Sequence, residues 1–222
     1  MLKPYEEKLK LIKSDVEKLG LDIVEALEVC LKALNERKIE NLKNVEVSEK
    51  KFLVKSNEID NLIITTLALY TPEARDLRRM VAFLKITNEM VRTAANTKDF
   101  AKMFRRSYSE DLNTNTILEY TIPLLKSALL STKTAISIID EQEYSKVEEK
   151  YQRVIVEESK TDDLYLMIEK NILKLITQKL DLSKEYFDLL SSLRRLEKIA
   201  DRSVSIASLL QFAKLGGDIV QS

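Results

Sequence analysis

The chain has 222 residues, in which 36 Lys and Arg balance 36 Asp and Glu and apolar residues make up 45%. That balance leaves no global field to draw the protein onto nucleic acid or an anionic membrane, and the length suits one elongated domain or two of about 110 residues each. With no histidine and glycine only at Gly20, Gly216 and Gly217, Ser-His-Asp triads, Cys-His pairs, histidine metal sites and glycine-rich phosphate loops are all excluded.

Gly and Pro are too scarce for the turns of many short strands, and apolar residues recurring at three and four predict six helices. They cover about 5–36, 39–70, 73–106, 110–140, 143–180 and 183–214. The opening MLKPYEEKLK has no apolar run suited to a secretory signal, so the cytoplasm is the expected compartment. In the first helix Cys30 lies among Val29, Leu31 and Leu34 and reads as a small buried apolar residue. The uncharged stretch from Asn61 to Pro72 ends the second helix and falls short of the roughly 20 apolar residues a membrane span needs. Pro72 suits the first turn of the third helix, and Pro123 marks a start or a kink in the fourth. Ser183 with Glu185 opens the sixth, which Gly216 and Gly217 close.

The second half repeats the first. At an offset of 102, Ala26, Leu27 and Ala33 fall on Ala128, Leu129 and Ala135, and Asp60 and Leu62 fall on Asp162 and Leu164. In the third helix of each half the offset becomes 106, which places Phe100-Ala101 on Ile206-Ala207. The expected fold is therefore all-α, two tandem antiparallel three-helix bundles with a first unit at 1–107 and a second at 108–222.

The candidate chemistry lies in the second unit. Glu158 sits on the apolar stripe of the fifth helix, with Asp162 one turn on; Glu197, Asp201 and Ser205 form a row beside the stripe of the sixth. If these helices run antiparallel, two ExxxD pairs meet and four carboxylates converge. Two unit charges 4 Å apart cost ~4 kcal/mol at an effective dielectric of 20, so such a cluster needs a cation, protons or arginines. Oxygen donors without histidine suit iron, manganese, magnesium or calcium, with zinc also acceptable. The plainer alternative is a solvated acidic face paired with Arg194, Arg195, Lys198 or Arg202. Arg75, Arg78 and Arg79 near the start of the third helix, and Arg105 and Arg106 near its end, form either a phosphate or protein-docking patch or ordinary solvated helix ends, and Tyr70, Phe83 and Phe104 read as core.

The segment from Pro72 through Asp76 to Arg78 resembles the P-x-A-x-D-L-R signature of the PhoU family of phosphate-uptake regulators. Glu158 to Asp162 is similar to that family's E-x-x-x-D, and Leu196 to Ala207 to its L-E-R-I-x-D-x-x-x-N-I-A. The resemblance implies two three-helix bundles binding iron or zinc clusters through these carboxylates. It also implies a non-enzymatic regulator whose partner is the membrane phosphate transporter or its ATPase subunit; a second copy of the chain is a further candidate partner. The second unit would then hold metal on Glu158, Asp162, Glu197 and Asp201, with Ser205 a weak ligand where the family has Asn or Asp. In the first unit Ser56, Val91 and Ala95 replace the acidic positions, leaving Asp60 and Asp99, so that site is degenerate. Asp76 and Arg78 mark a corner for partner recognition or bundle geometry. Other readings are a carboxylate-bridged metal-storage bundle, disfavoured because such bundles normally add Glu-x-x-His motifs, and a metal-free helical scaffold.

Overall fold

The computed structural model describes residues 3–217. Six α-helices follow in order: α1 (Lys3–Asn35), α2 (Glu49–Leu69), α3 (Ala74–Ser107), α4 (Thr114–Ser137), α5 (Tyr144–Gln178) and α6 (Ser183–Leu215). No strand occurs among the described residues. The four longest helices each extend ~50 Å at 1.5 Å per residue, so they bury their apolar stripes only by lying nearly alongside one another. In α1 that stripe is Ile12, Val16, Leu19, Ile23, Leu27, Cys30 and Leu34, stepping by three and four.

Two predicted boundaries move. The second helix starts ten residues later than expected, because Ile39–Asn44 forms a 3₁₀ turn and the backbone is extended at Val45 and Ser48. A 3₁₀ turn eclipses positions three apart, which lets Ile39 and Leu42 both face the core. The fourth helix begins at Thr114, well before Pro123, where Asn113 caps it by accepting the Thr116 N–H at 3.2 Å. Gly216 ends α6 with a φ of 83°, a left-handed conformation natural to glycine.

Each half forms a three-helix repeat, and a single apolar cluster runs through both. The broadest contact in the molecule joins the third helices of the two repeats, α3 and α6. Glu89 pairs with Arg202 at 3.0 Å and Asp99 with Arg195 at 3.7 Å. Later residues of α3 thus meet earlier residues of α6, so the pair is antiparallel. The first helices, α1 and α4, also touch across the repeats. Small residues let the remaining elements close up: Thr132 and Ser203 share a buried hydroxyl–hydroxyl hydrogen bond of 2.9 Å between α4 and α6.

Gly20 permits the α1–α4 contact. A β-carbon there would stand 2.5 Å from Ile136 Cδ1 and 2.9 Å from its Cγ1. Alanine would gain about 1 kcal/mol of helix propensity, but overpacking a buried contact costs about 1–3 kcal/mol. Ile136 is β-branched and buried, so it has little room to yield. Gly20→Ala should therefore lower stability by about 1 kcal/mol, roughly 2–4 °C in melting temperature for a chain this size. The same change in an Ile136→Ala background should be neutral or favourable. A rise in melting temperature for Gly20→Ala alone would show that the two repeats do not meet this closely.

Candidate functional site

Val154, Thr161, Tyr165 and Ile168 of α5 are buried, as are Leu196, Ile199 and Ala200 of α6. The acidic residues occupy the margin of this packed seam. Glu158 and Asp162, one turn apart on α5, present their carboxylates beside that of Asp201 on α6. One oxygen from each lies within 4.8 Å of the other two. Glu158 and Asp162 are half-buried, while Asp201 keeps one side open to solvent.

Crowding is visible in the proton affinities. Burial raises the Glu158 carboxyl above the usual range, and the charges of Asp162 and Asp201 raise it further. Burial likewise raises Asp201, with Asp162 adding to it and Arg202, Arg194 and Lys198 opposing. The three carboxylates form no ion pair within 4 Å among the described residues. Asp162 Oδ1 is buried without any hydrogen-bond partner. An acceptor in that position costs free energy unless something positive meets it. Three half-desolvated oxygen donors, one of them orphaned, fit a hard divalent cation.

The other members of the expected row are engaged otherwise. Glu197 lies 2.7 Å from Arg194 Nε on its own helix. Its carboxyl is also raised, by burial first, against the pull of Arg194 and with the push of Asp201 and Asp162. Ser205 Oγ donates to the Asp201 carbonyl at 3.3 Å. Of the four cations near the row in sequence, Arg195 and Arg202 reach across to Asp99 and Glu89 on α3. Arg194 serves Glu197 and lies over the Tyr165 ring at 5.1 Å.

The first repeat has no matching cluster among the described residues. Ser56 is buried, Val91 packs against the core, and Ala95 is half-buried. Asp60 accepts a 2.8 Å hydrogen bond from Thr87 Oγ1, which partly offsets the rise that burial gives its carboxyl. Asp99 is committed to Arg195. Among the described residues the convergent carboxylates thus lie in the second repeat alone.

At the start of α3, Asp76 points inward and is only 7% exposed. It accepts from the Tyr5 hydroxyl at 3.3 Å and lies 3.6 Å from Arg79. Burial, then the Asp76 charge and hydrogen bond, push the Tyr5 phenol up to about 12. The Arg78 guanidinium packs on Gly216, where an added β-carbon would touch its Cζ at 3.7 Å. Sequence reasoning found Asp76 but not Tyr5, which lies 71 residues earlier and carries no local mark of the contact.

Two three-helix repeats about an α3–α6 seam, one bearing a carboxylate triad, define a duplicated carboxylate-bearing helical bundle. The PhoU domain family matches this chain twice, over residues 16–104 and 125–210. The chain belongs to the PhoU family. In fold it is similar to the phosphate transport system regulatory protein PhoU from Streptococcus pneumoniae, with a TM-score of 0.78 and 18% identity over 98% of this chain and 100% of that one. It is also similar to PhoU from Pseudomonas aeruginosa, with a TM-score of 0.73 and 16% identity over 96% and 100% of the two chains. A PhoU-like protein from Shewanella oneidensis MR-1 aligns at a TM-score of 0.65 and 14% identity over 91% and 96%. No curated protein sequence matches the chain.

Proposed function

We propose that this protein regulates phosphate uptake by protein–protein contact with a membrane phosphate transporter or its ATPase subunit, and that it does so without turnover in the cytoplasm. The observation that carries this reading is the double PhoU-domain match within a chain that covers the whole of the Streptococcus pneumoniae phosphate transport system regulator. No described helix is long and apolar enough to cross a membrane, so the contact would be made from outside the bilayer. Glu158, Asp162 and Asp201 would hold iron or zinc, and Glu197 becomes a ligand only by leaving Arg194. The ion would supply positive charge that relieves the orphaned Asp162 oxygen and ties α5 to α6.

The test is a tagged chain recovered from its own host, together with phosphate uptake in a strain lacking it. Components of the transporter should co-purify, and uptake should rise or lose its response to external phosphate. Unchanged uptake with no transporter component retained would rule out the proposal.

A further inference from the structure

The ends of α1, α3 and α6 meet the α4–α5 turn around a recess of about 100 Å³. Its polar lining is Lys13, Arg79, Lys214 and Gln142, set over apolar Phe83 and Leu210. Among the described residues three cations and no carboxylate line the recess itself, although acids stand nearby. On α1, Lys13 donates to Asp140, whose carboxylate also neighbours Glu17. On α3, Arg79 lies 3.6 Å from Asp76, and at the turn Glu141 is taken by Lys150 of α5 at 2.9 Å. Lys214 differs from these. Among the described residues its ammonium donates only to the neutral carbonyl of Glu141. Burial, then the charges of Lys13 and Arg79, push it down to about 8, against the opposing pull of Glu141 and Asp140.

The geometry points to a binding site for a small tetrahedral oxyanion, inorganic phosphate or one of its size, held by Lys214, Arg79 and Lys13 between the two repeats. A half-buried ammonium beside two other cations is the local environment an anion relieves, through charge-assisted hydrogen bonds. Size sets the class of ligand. At ~30 Å³ per water, the recess has room for roughly three waters, well below the ~300 Å³ at which drug-sized ligand pockets begin. A free ion fits, and a nucleoside does not. The inference stands on the recess alone and is independent of both the metal site and the transporter contact.

Inorganic phosphate titrated into the full chain at pH 7 and low ionic strength, followed by calorimetry, should show one saturable site per chain. Lys214→Gln should weaken it at least tenfold, while Lys170→Gln, exposed on α5, should change it less than twofold. If Lys214→Gln does not fold, the wild-type chain decides: its melting temperature should rise with phosphate more than with chloride of equal ionic strength. Vesicles containing phosphatidic acid separate a lipid headgroup from the free ion, and retention on them without binding of inorganic phosphate overturns the proposal. So does the absence of a saturable site, or equal affinity in wild type and a folded Lys214→Gln variant.

Discussion

Replacing Asp162 and Asp201 together with asparagine should leave less than about a tenth of the divalent metal that the wild-type protein retains, since two of the three convergent donors lose their charge. Glu197→Gln should keep more than half of it, because that carboxylate already answers to Arg194. Elemental analysis of protein equilibrated with iron or zinc and then desalted separates the cases. Equal metal content in wild type and the Asp162→Asn, Asp201→Asn variant would remove the site from α5 and α6. A loss in Glu197→Gln as large as in the double variant would mean that Glu197 leaves Arg194 when metal binds.

The same cluster sets the pH response of the metal-free protein. Glu158, Glu197 and Asp201 all have raised proton affinity in the folded state. Between the unfolded carboxylate range near ~4 and the raised folded values, the native chain binds more protons than the unfolded one. Stability contributed by the cluster therefore increases as pH falls through that window and is weakest at neutral pH. Chelation at pH 7 should lower the melting temperature, and mild acid should recover part of the loss. Neutralising Asp162 should stabilise the metal-free form by roughly 1–4 kcal/mol, the range for two unit charges ~4 Å apart between bulk water and a half-buried protein margin.

Periodicity made the helices legible because each long stripe steps by three and four along one face, as Ile12 through Leu34 does in α1. It failed at residues 39–48, where Ile39 and Leu42 keep a spacing that a 3₁₀ turn satisfies as well as an α-helix. The acidic candidates were legible as types and spacings, since ExxxD puts both groups on one helix face. Which of them converge depends on rotamers and on competition from cations. Arg194 is three residues from Glu197 and withdraws it from the group, whereas Arg195 and Arg202, two and five residues from Glu197, turn away to α3. Of the recess at Lys214, sequence marked only Arg79, within the arginine patch that opens the third helix, because Lys13, Arg79 and Lys214 come from three helices and become neighbours only through the fold.

Asp76→Ala should lower stability by about 2 kcal/mol, roughly 4–8 °C in melting temperature, although the residue lies in a charged helix start. Part of the loss is the favourable meeting of a carboxylate with the N-terminal end of α3, worth about 0.3–1 kcal/mol. The larger part comes from burial: the change leaves the Tyr5 hydroxyl without its acceptor and Arg79 without its nearest carboxylate. Asp76→Asn keeps an acceptor for Tyr5 and should cost about half as much. Tyr5→Phe removes the donor and should cost about 1 kcal/mol. Because the two residues share one hydrogen bond, Tyr5→Phe added to Asp76→Ala should cost little more than Asp76→Ala alone, and thermal melts of the four proteins close the cycle. Arg78 supplies the contrast. It packs on Gly216 and forms no ion pair within 4 Å among the described residues, so Arg78→Ala should cost less than Asp76→Ala. If Asp76→Ala melted with the wild type while transporter binding fell, the signature aspartate would be a recognition residue and not the clasp between the start of α3 and α1.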